Sequence, residues 1–211
     1  MKKQLATVFA ILGLFLLASS PAFALKDSPI SVGPKLGVNL SDFSGDVEEA
    51  IDSGSDMKAG FCGGAFLAWA ISDWFTFQPE FLYSQKGADA EGYDGTIRLN
   101  YIEFPLLAML TIPMEGRFTP NVFVGPSIAF NIKAEASSGG VSLDIKDEIS
   151  STDIGIVFGA GVKVAEIGPG AITADIRYTM GLTNFLDSEL ADLFDVSAKN
   201  RVFCFMVGYA F

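Results

Sequence analysis

Apolar and polar residues alternate with a period of two along eight separate stretches of this chain. That spacing puts successive side chains on opposite faces of a β-strand. The first stretch, 31–43, sets Val32, Leu36, Val38 and Leu40 against Lys35, Gly37, Asn39 and Ser41. The second, 58–71, opposes Phe61, Ala65, Leu67, Trp69 and Ile71 to Gly60, Cys62 and Gly64, and the third, 74–86, opposes Phe75, Phe77, Phe81 and Tyr83 to Gln78, Glu80, Ser84 and Lys86. The fourth, 96–112, opposes Ile102, Phe104, Leu106 and Leu110 to Tyr101, Glu103 and Leu107. In the fifth (121–133), sixth (153–164) and seventh (172–182), apolar faces such as Val122, Val124, Ile128 and Phe130 oppose Ser127, Asn131, Lys133, Asp153, Lys163, Asp175 and Arg177. The eighth, 200–211, carries Phe203, Phe205, Val207, Tyr209 and Phe211 on one face and mostly small groups on the other. A terminal edge strand this apolar invites aggregation in water. It makes sense if it closes a barrel against the first strand and turns its aromatics toward lipid.

The connections alternate as well. Those after odd-numbered strands are long (44–57, 87–95, 134–150 and 183–199), and those after even-numbered strands are short (Ser72-Asp73, 113–117 and 165–170). Each strand has about the ~9–11 residues that a tilted bilayer crossing requires. The predicted fold is therefore all-β: an eight-stranded antiparallel up-and-down transmembrane β-barrel with short periplasmic turns and long extracellular loops. Arg98 and Asn100 fall on the nominal lipid face of the fourth strand. Either that strand enters the bilayer only near Tyr101, or a bulge shifts its register.

Residues 1–24 read as an address. Lys2 and Lys3 precede an apolar run over 5–17, and Ala22-Phe23-Ala24 forms an A-x-A cleavage site at Ala22 and Ala24. The expected division is a cleaved signal peptide, 1–24, and one barrel domain, 25–211. Removing those 24 residues, two of them lysines, leaves 187 with 12 Lys+Arg against 25 Asp+Glu, a net charge of −13. That acidity argues against nucleic acid as a partner. The chain has no histidine, which removes Ser-His-Asp and Cys-His catalysis as usually built and His-based zinc sites. No enzyme activity, cofactor or metal site is expected.

The inward face holds the candidate site. Counting back from the turns places Glu80 nearly opposite Glu103, with Arg177 reaching between them from across the lumen, and Lys163 beside Asp175. These five would form a salt-bridged plug, since eight strands leave an interior just wide enough for side chains. Trp69, Trp74, Phe75, Phe77, Tyr209 and Phe211 gather at the short-turn end as a candidate aromatic girdle. Cys62 and Cys204 point inward on the two strands flanking the first. Two strand spacings of ~4.8 Å exceed the ~7 Å reach of a disulfide, so two free buried thiols are expected. In the last loop Leu186, Leu190 and Leu193 or Phe194 have helical spacing, which reads as a short lid.

The runs Gln78-Pro79-Glu80-Phe81-Leu82-Tyr83-Ser84-Gln85-Lys86-Gly87 and Tyr101-Ile102-Glu103-Phe104-Pro105-Leu106-Leu107 resemble the third and fourth strands of the PorT-like outer-membrane β-barrel family. Phe123-Val124-Gly125-Pro126-Ser127, Phe158-Gly159-Ala160-Gly161-Val162 and Arg177-Tyr178-Thr179-Met180-Gly181-Leu182-Thr183-Asn184 are similar to its later strands. The resemblance spans essentially all of 25–211. It implies a barrel in a Gram-negative outer membrane, in a family some of whose members assist protein secretion. The expectation is a monomeric barrel with a structural or interaction role. Its partners would be outer-membrane lipid, the barrel-assembly machinery through the C-terminal strand, and an envelope protein at the extracellular loops. The rivals are a secretion-machinery accessory, a small-solute pore, and a soluble lipocalin-like ligand carrier with its apolar face inside.

Overall fold

The computed structural model describes residues 28–44, 56–90, 95–167, 170–185 and 198–211. The signal segment with Ala22 and Ala24, the acidic stretch around Asp46, Glu48, Glu49 and Asp52, and the helical spacing from Leu186 to Phe194 all lie outside the described residues.

Nine strands form one antiparallel sheet: β1 (Ile30–Ser44), β2 (Asp56–Ala70), β3 (Phe75–Ala90), β4 (Gly95–Thr111), β5 (Phe118–Ser138), β6 (Val141–Asp144), β7 (Thr152–Ile167), β8 (Gly170–Gly181) and β9 (Lys199–Ala210). Eight of them close on themselves. Each is paired with its neighbours in sequence, β5 with β7, and β9 returns to β1 from Lys35↔Gly208 to Ser44↔Lys199. The Phe211 amide adds one more bond to the Val32 carbonyl. The fold is the eight-stranded antiparallel barrel that the alternation predicts.

The faces are inverted relative to a soluble barrel. Phe205 on β9 is 50% exposed while its neighbour Cys204 is 4% exposed, and the same contrast separates Leu36 and Val38 from Lys35 and Asn39 on β1. Phe61, Phe81, Phe104, Val124, Phe158 and Ile176 continue the outer apolar belt. A ligand-carrying calyx needs its apolar face inside, and here the inner face is polar. The lipocalin-like alternative is incompatible with this geometry.

Two departures from the expected layout shape the long-connection end. First, β5 bulges. Asn100 pairs with Lys133 but Tyr101 with Asn131, so one extra residue sits in β5 at this level. Below the bulge Ala129 and Asn131 face inward. Above it Ala134 does, and Lys133 moves to the outer face, where it pairs with Glu135 at 2.7 Å. The expectation of an inward Lys133 is corrected. Arg98 and Asn100 keep their outward phase on β4, so the outer wall is polar from this level upward. Second, the expected loop over 134–150 is largely strand. β5 runs on to Ser138, turns at Gly139-Gly140 (φ 57° and 81°) and returns as β6. Two consecutive left-handed residues are what a tight two-residue hairpin requires, and glycine adopts them without strain.

Candidate functional site

The inner wall concentrates the chain's buried polar groups. Lys35, Asn39 and Ser41 come from β1, Gln78, Glu80, Ser84 and Lys86 from β3, Glu103 from β4, Asp153 from β7, Arg177 from β8 and Asn200 from β9. Strand periodicity places them inside, and closure decides which of them meet.

They meet as two groups. In the first, Glu80 accepts hydrogen bonds from Lys35 Nζ at 3.0 Å, Arg177 Nη1 at 2.6 Å and Gln78 Nε2 at 2.7 Å. Asp175 accepts from the same two cations, Lys35 Nζ at 2.7 Å and Arg177 Nε at 2.9 Å. Lys35, Glu80, Arg177 and Asp175 thus form a closed ring bridging β1, β3 and β8. Lys35 Nζ also lies 5.3 Å from the Phe66 ring centroid, and the Arg177 guanidinium 5.3 Å from that of Phe123. In the second group Lys86 Nζ pairs with Glu103 at 2.5 Å and reaches Asp153 at 3.7 Å. Asp153 accepts further bonds from Asn200 Nδ2 at 2.8 Å and Thr183 Oγ1 at 2.9 Å, and Lys86 Nζ stands 4.8 Å from the Tyr101 ring centroid.

Of the five residues expected to cluster, Glu80, Asp175 and Arg177 are brought together. Lys163 is not. It pairs with Thr173 instead of Asp175 and lies exposed toward the short-turn end. The β7–β8 ladder is centred one residue earlier than the count assumed, and each residue of shift in a turn centre moves every partner by two. The β3–β4 ladder likewise sets Glu103 opposite Leu82. Glu103 therefore leaves Glu80 and Arg177 and takes Lys86 as its counter-ion. Lys35, Lys86 and Asp153 were missing from the expected cluster. Their inward phase is visible in the alternation, but Lys35 and Asp153 find their partners on strands distant in sequence, and Lys86 meets Glu103 only in the shifted β3–β4 register.

The long-connection end of the lumen is apolar. At the long-connection end Phe43, Leu99, Tyr101, Ile149 and Phe185 pack together, with the Phe43 and Phe185 rings 4.6 Å apart. Ile149 comes from the segment after β6, and Phe185 is tied to the Ser150 amide. These residues fill the lumen at that end. Leu107, Phe123 and Val157 form a second cluster beside the first ion-pair group, with Phe123 against the Arg177 guanidinium. Between the ion-pair groups, Asn39 Nδ2 donates to Ser84 Oγ at 2.9 Å, and the Cys62 and Cys204 sulfurs touch at 3.0 Å without a bond. Glu80 and Glu103 each face a fixed cation, an arrangement that holds charge in place.

On the outer wall Trp69 pairs with Phe77, Trp74 stacks 5.9 Å from Phe75, and Tyr209 lies 4.8 Å from Phe211. Trp74 is 60% exposed. The six residues read as a girdle thus come from strand ends and a turn at the short-turn end of the barrel.

Residues 18–187 match the family described as "Outer membrane protein beta-barrel domain". Among solved structures, the chain is similar to Neisserial surface protein A (15% identity, TM-score 0.52), the match covering 86% of this chain and 96% of that one. It is also matched to the attachment invasion locus protein Ail of Yersinia pestis (16%, TM-score 0.44, 86% and 98% covered) and to OprG from Pseudomonas aeruginosa (12%, TM-score 0.46, 86% and 95% covered). Only the first is near enough in shape to bear on the fold. No curated protein matches the chain.

Removing one member of a buried ion pair costs about 3–5 kcal/mol, because the partner charge stays buried. Arg177→Ala is therefore expected to lower the unfolding free energy of the barrel in lipid vesicles by an amount of that order, read as a lower midpoint in urea. Lys163→Ala, at the exposed rim, should leave the midpoint unchanged. Equal shifts for the two variants would contradict the assignment.

Proposed function

The chain belongs to the outer membrane protein β-barrel domain family, and from that premise we propose that it serves as a closed, non-conducting barrel with a structural or interaction role in a Gram-negative outer membrane. The observation that carries this reading is the ring of Lys35, Glu80, Arg177 and Asp175, which spans the lumen from β1 and β3 to β8. Eight strands leave no room for a side chain that crosses the lumen and a permanent water column beside it. In planar bilayers the wild-type barrel is expected to be silent. The Glu80→Ala/Arg177→Ala double variant, which removes one charge of each sign, should pass current. A wild-type protein that conducts steadily would favour the small-solute pore instead.

In this reading the short-turn end faces the periplasm, and Trp69, Trp74, Phe75, Phe77, Tyr209 and Phe211 sit where the headgroups begin. The chain has two tryptophans, both in this set, so its fluorescence reports directly on depth. Lipids brominated near the glycerol backbone should quench it more than lipids brominated near the chain ends. The reverse order would remove the girdle.

The similarity to PorT-like barrels supports a second reading, an accessory to a secretion machine. The feature that favours it is the β5–β6 hairpin, where Val141 and Leu143 are both more than half exposed on a strand that, among the described residues, is paired along one edge. An exposed edge of this kind can add an extended segment of a partner. Deleting residues 139–144 should then abolish co-purification of a specific envelope protein while heat-modifiable gel migration persists. Retention of that partner would rule out the hairpin as the contact.

A further inference from the structure

Three sulfur-bearing side chains converge inside the barrel at a point that the ion-pair groups leave free. Cys62 on β2 and Cys204 on β9 lie on either side of β1, opposite Gly37 and Asn39 respectively, and Met206 is the β9 residue opposite Gly37. All three are at most 4% exposed and pack with Leu82 as one buried cluster. The Cys62 and Cys204 sulfurs are 3.0 Å apart. Gly37 makes the convergence possible, because a Cβ there would lie 2.9 Å from Cys62 Sγ and 2.8 Å from Met206 Cγ. Beside the pair is a cavity of about 10 Å³ lined by both cysteines, Met206, Asn39, Glu103 and Arg177. That is close to the smallest space that holds one small guest.

We propose that Cys62, Cys204 and Met206 form a binding site for one soft monovalent metal ion of the Cu(I) or Ag(I) class. Thiol, thiolate and thioether sulfur are the donors that select such ions. Zinc asks for four donors of nitrogen, thiolate or carboxylate character, and among the described residues no group of three or more Cys, Asp or Glu is arranged to hold a metal. Binding involves no electron transfer. One S–H bond breaks, its proton leaves to solvent, and one sulfur–metal bond forms. The second thiol and the thioether add as neutral donors. A monovalent cation thus replaces a single proton, and the net charge of a lumen already carrying Lys35, Lys86 and Arg177 against four carboxylates does not change. The backbone supports a metal bridge better than a disulfide. β1 holds β2 and β9 about 9–10 Å apart, whereas a disulfide would need them to draw together. A bridging metal lets the two sulfurs move apart into the cavity.

Silver(I) is the probe, since it needs no reductant. It is supplied to the reduced full-length mature barrel in detergent micelles, both after folding and during folding, and bound ion is counted by native mass spectrometry. The expected result is one silver per barrel, with a rise in the temperature at which the compact gel form is lost, and no zinc retained under the same conditions. Cys62→Ser and Cys204→Ser should each lose the ion. Met206→Leu, which keeps the side-chain volume and the fold, should bind silver but reach half-occupancy only at a higher concentration. Three results would overturn the proposal. They are silver absent under both loading conditions, silver stoichiometry unchanged in the cysteine variants, or a Cys62–Cys204 disulfide in the protein isolated from cells.

Discussion

The pairing of β9 with β1 is the constraint on which the other features depend. An open sheet in an apolar medium would leave a row of backbone donors and acceptors without partners, at a cost of several kcal/mol for each group. Closing the sheet removes both edges at once. Closure at eight strands also fixes the interior, which becomes narrow enough that side chains from opposite walls must touch. The apolar exterior and the crowded polar interior follow from that one ladder.

The interior then has to solve an electrostatic problem. Three cations and four carboxylates enter a space shielded from water, where an isolated charge is very costly. The structure answers with two networks in which each charge has a partner on another strand. Glu80 draws on Lys35, Arg177 and Gln78, and Asp153 draws on Lys86, Asn200 and Thr183. Such networks add little stability over a well-packed apolar core, but breaking them is expensive. Their effect is to fix the relative placement of strands distant in sequence. The ring around Glu80 can form in one register of β1, β3 and β8 only. An apolar cluster caps the long-connection end of the lumen, and Leu107, Phe123 and Val157 pack beside the ring, with Phe123 against Arg177.

The long-connection end is built on different terms. There β3, β4 and β5 extend beyond the apolar belt, and β6 adds a further strand on β5. With an outer face above the apolar belt, nothing keeps that wall apolar, and residues such as Arg98, Lys133 and Glu135 occupy it. The same end draws Ile149 and Phe185 inward to cover the mouth. One part of the molecule thus seals the lumen while another projects outward with exposed Val141 and Leu143.

Much of this was legible in the order of residues. Period-two alternation and connection length are local properties, and they determined the eight barrel strands, their inward and outward faces, and the short-turn and long-connection ends. They also placed Glu80, Asp175 and Arg177 on the inner wall. Tertiary structure decided what those faces meet. A ladder's register depends on the centre of its turn to within one residue, which separated Glu103 from Glu80 and left Lys163 at the rim. The extra residue in β5 and the extension into β6 were hidden for a related reason: the bulge only shifts which residues face inward, and β6 is exposed throughout, so no hydrophobic pattern marks either. The meeting of Cys62 with Cys204 depended on closure itself. Strands 142 residues apart become near neighbours only when the last pairs with the first, and the missing side chain at Gly37 leaves their sulfurs room to touch.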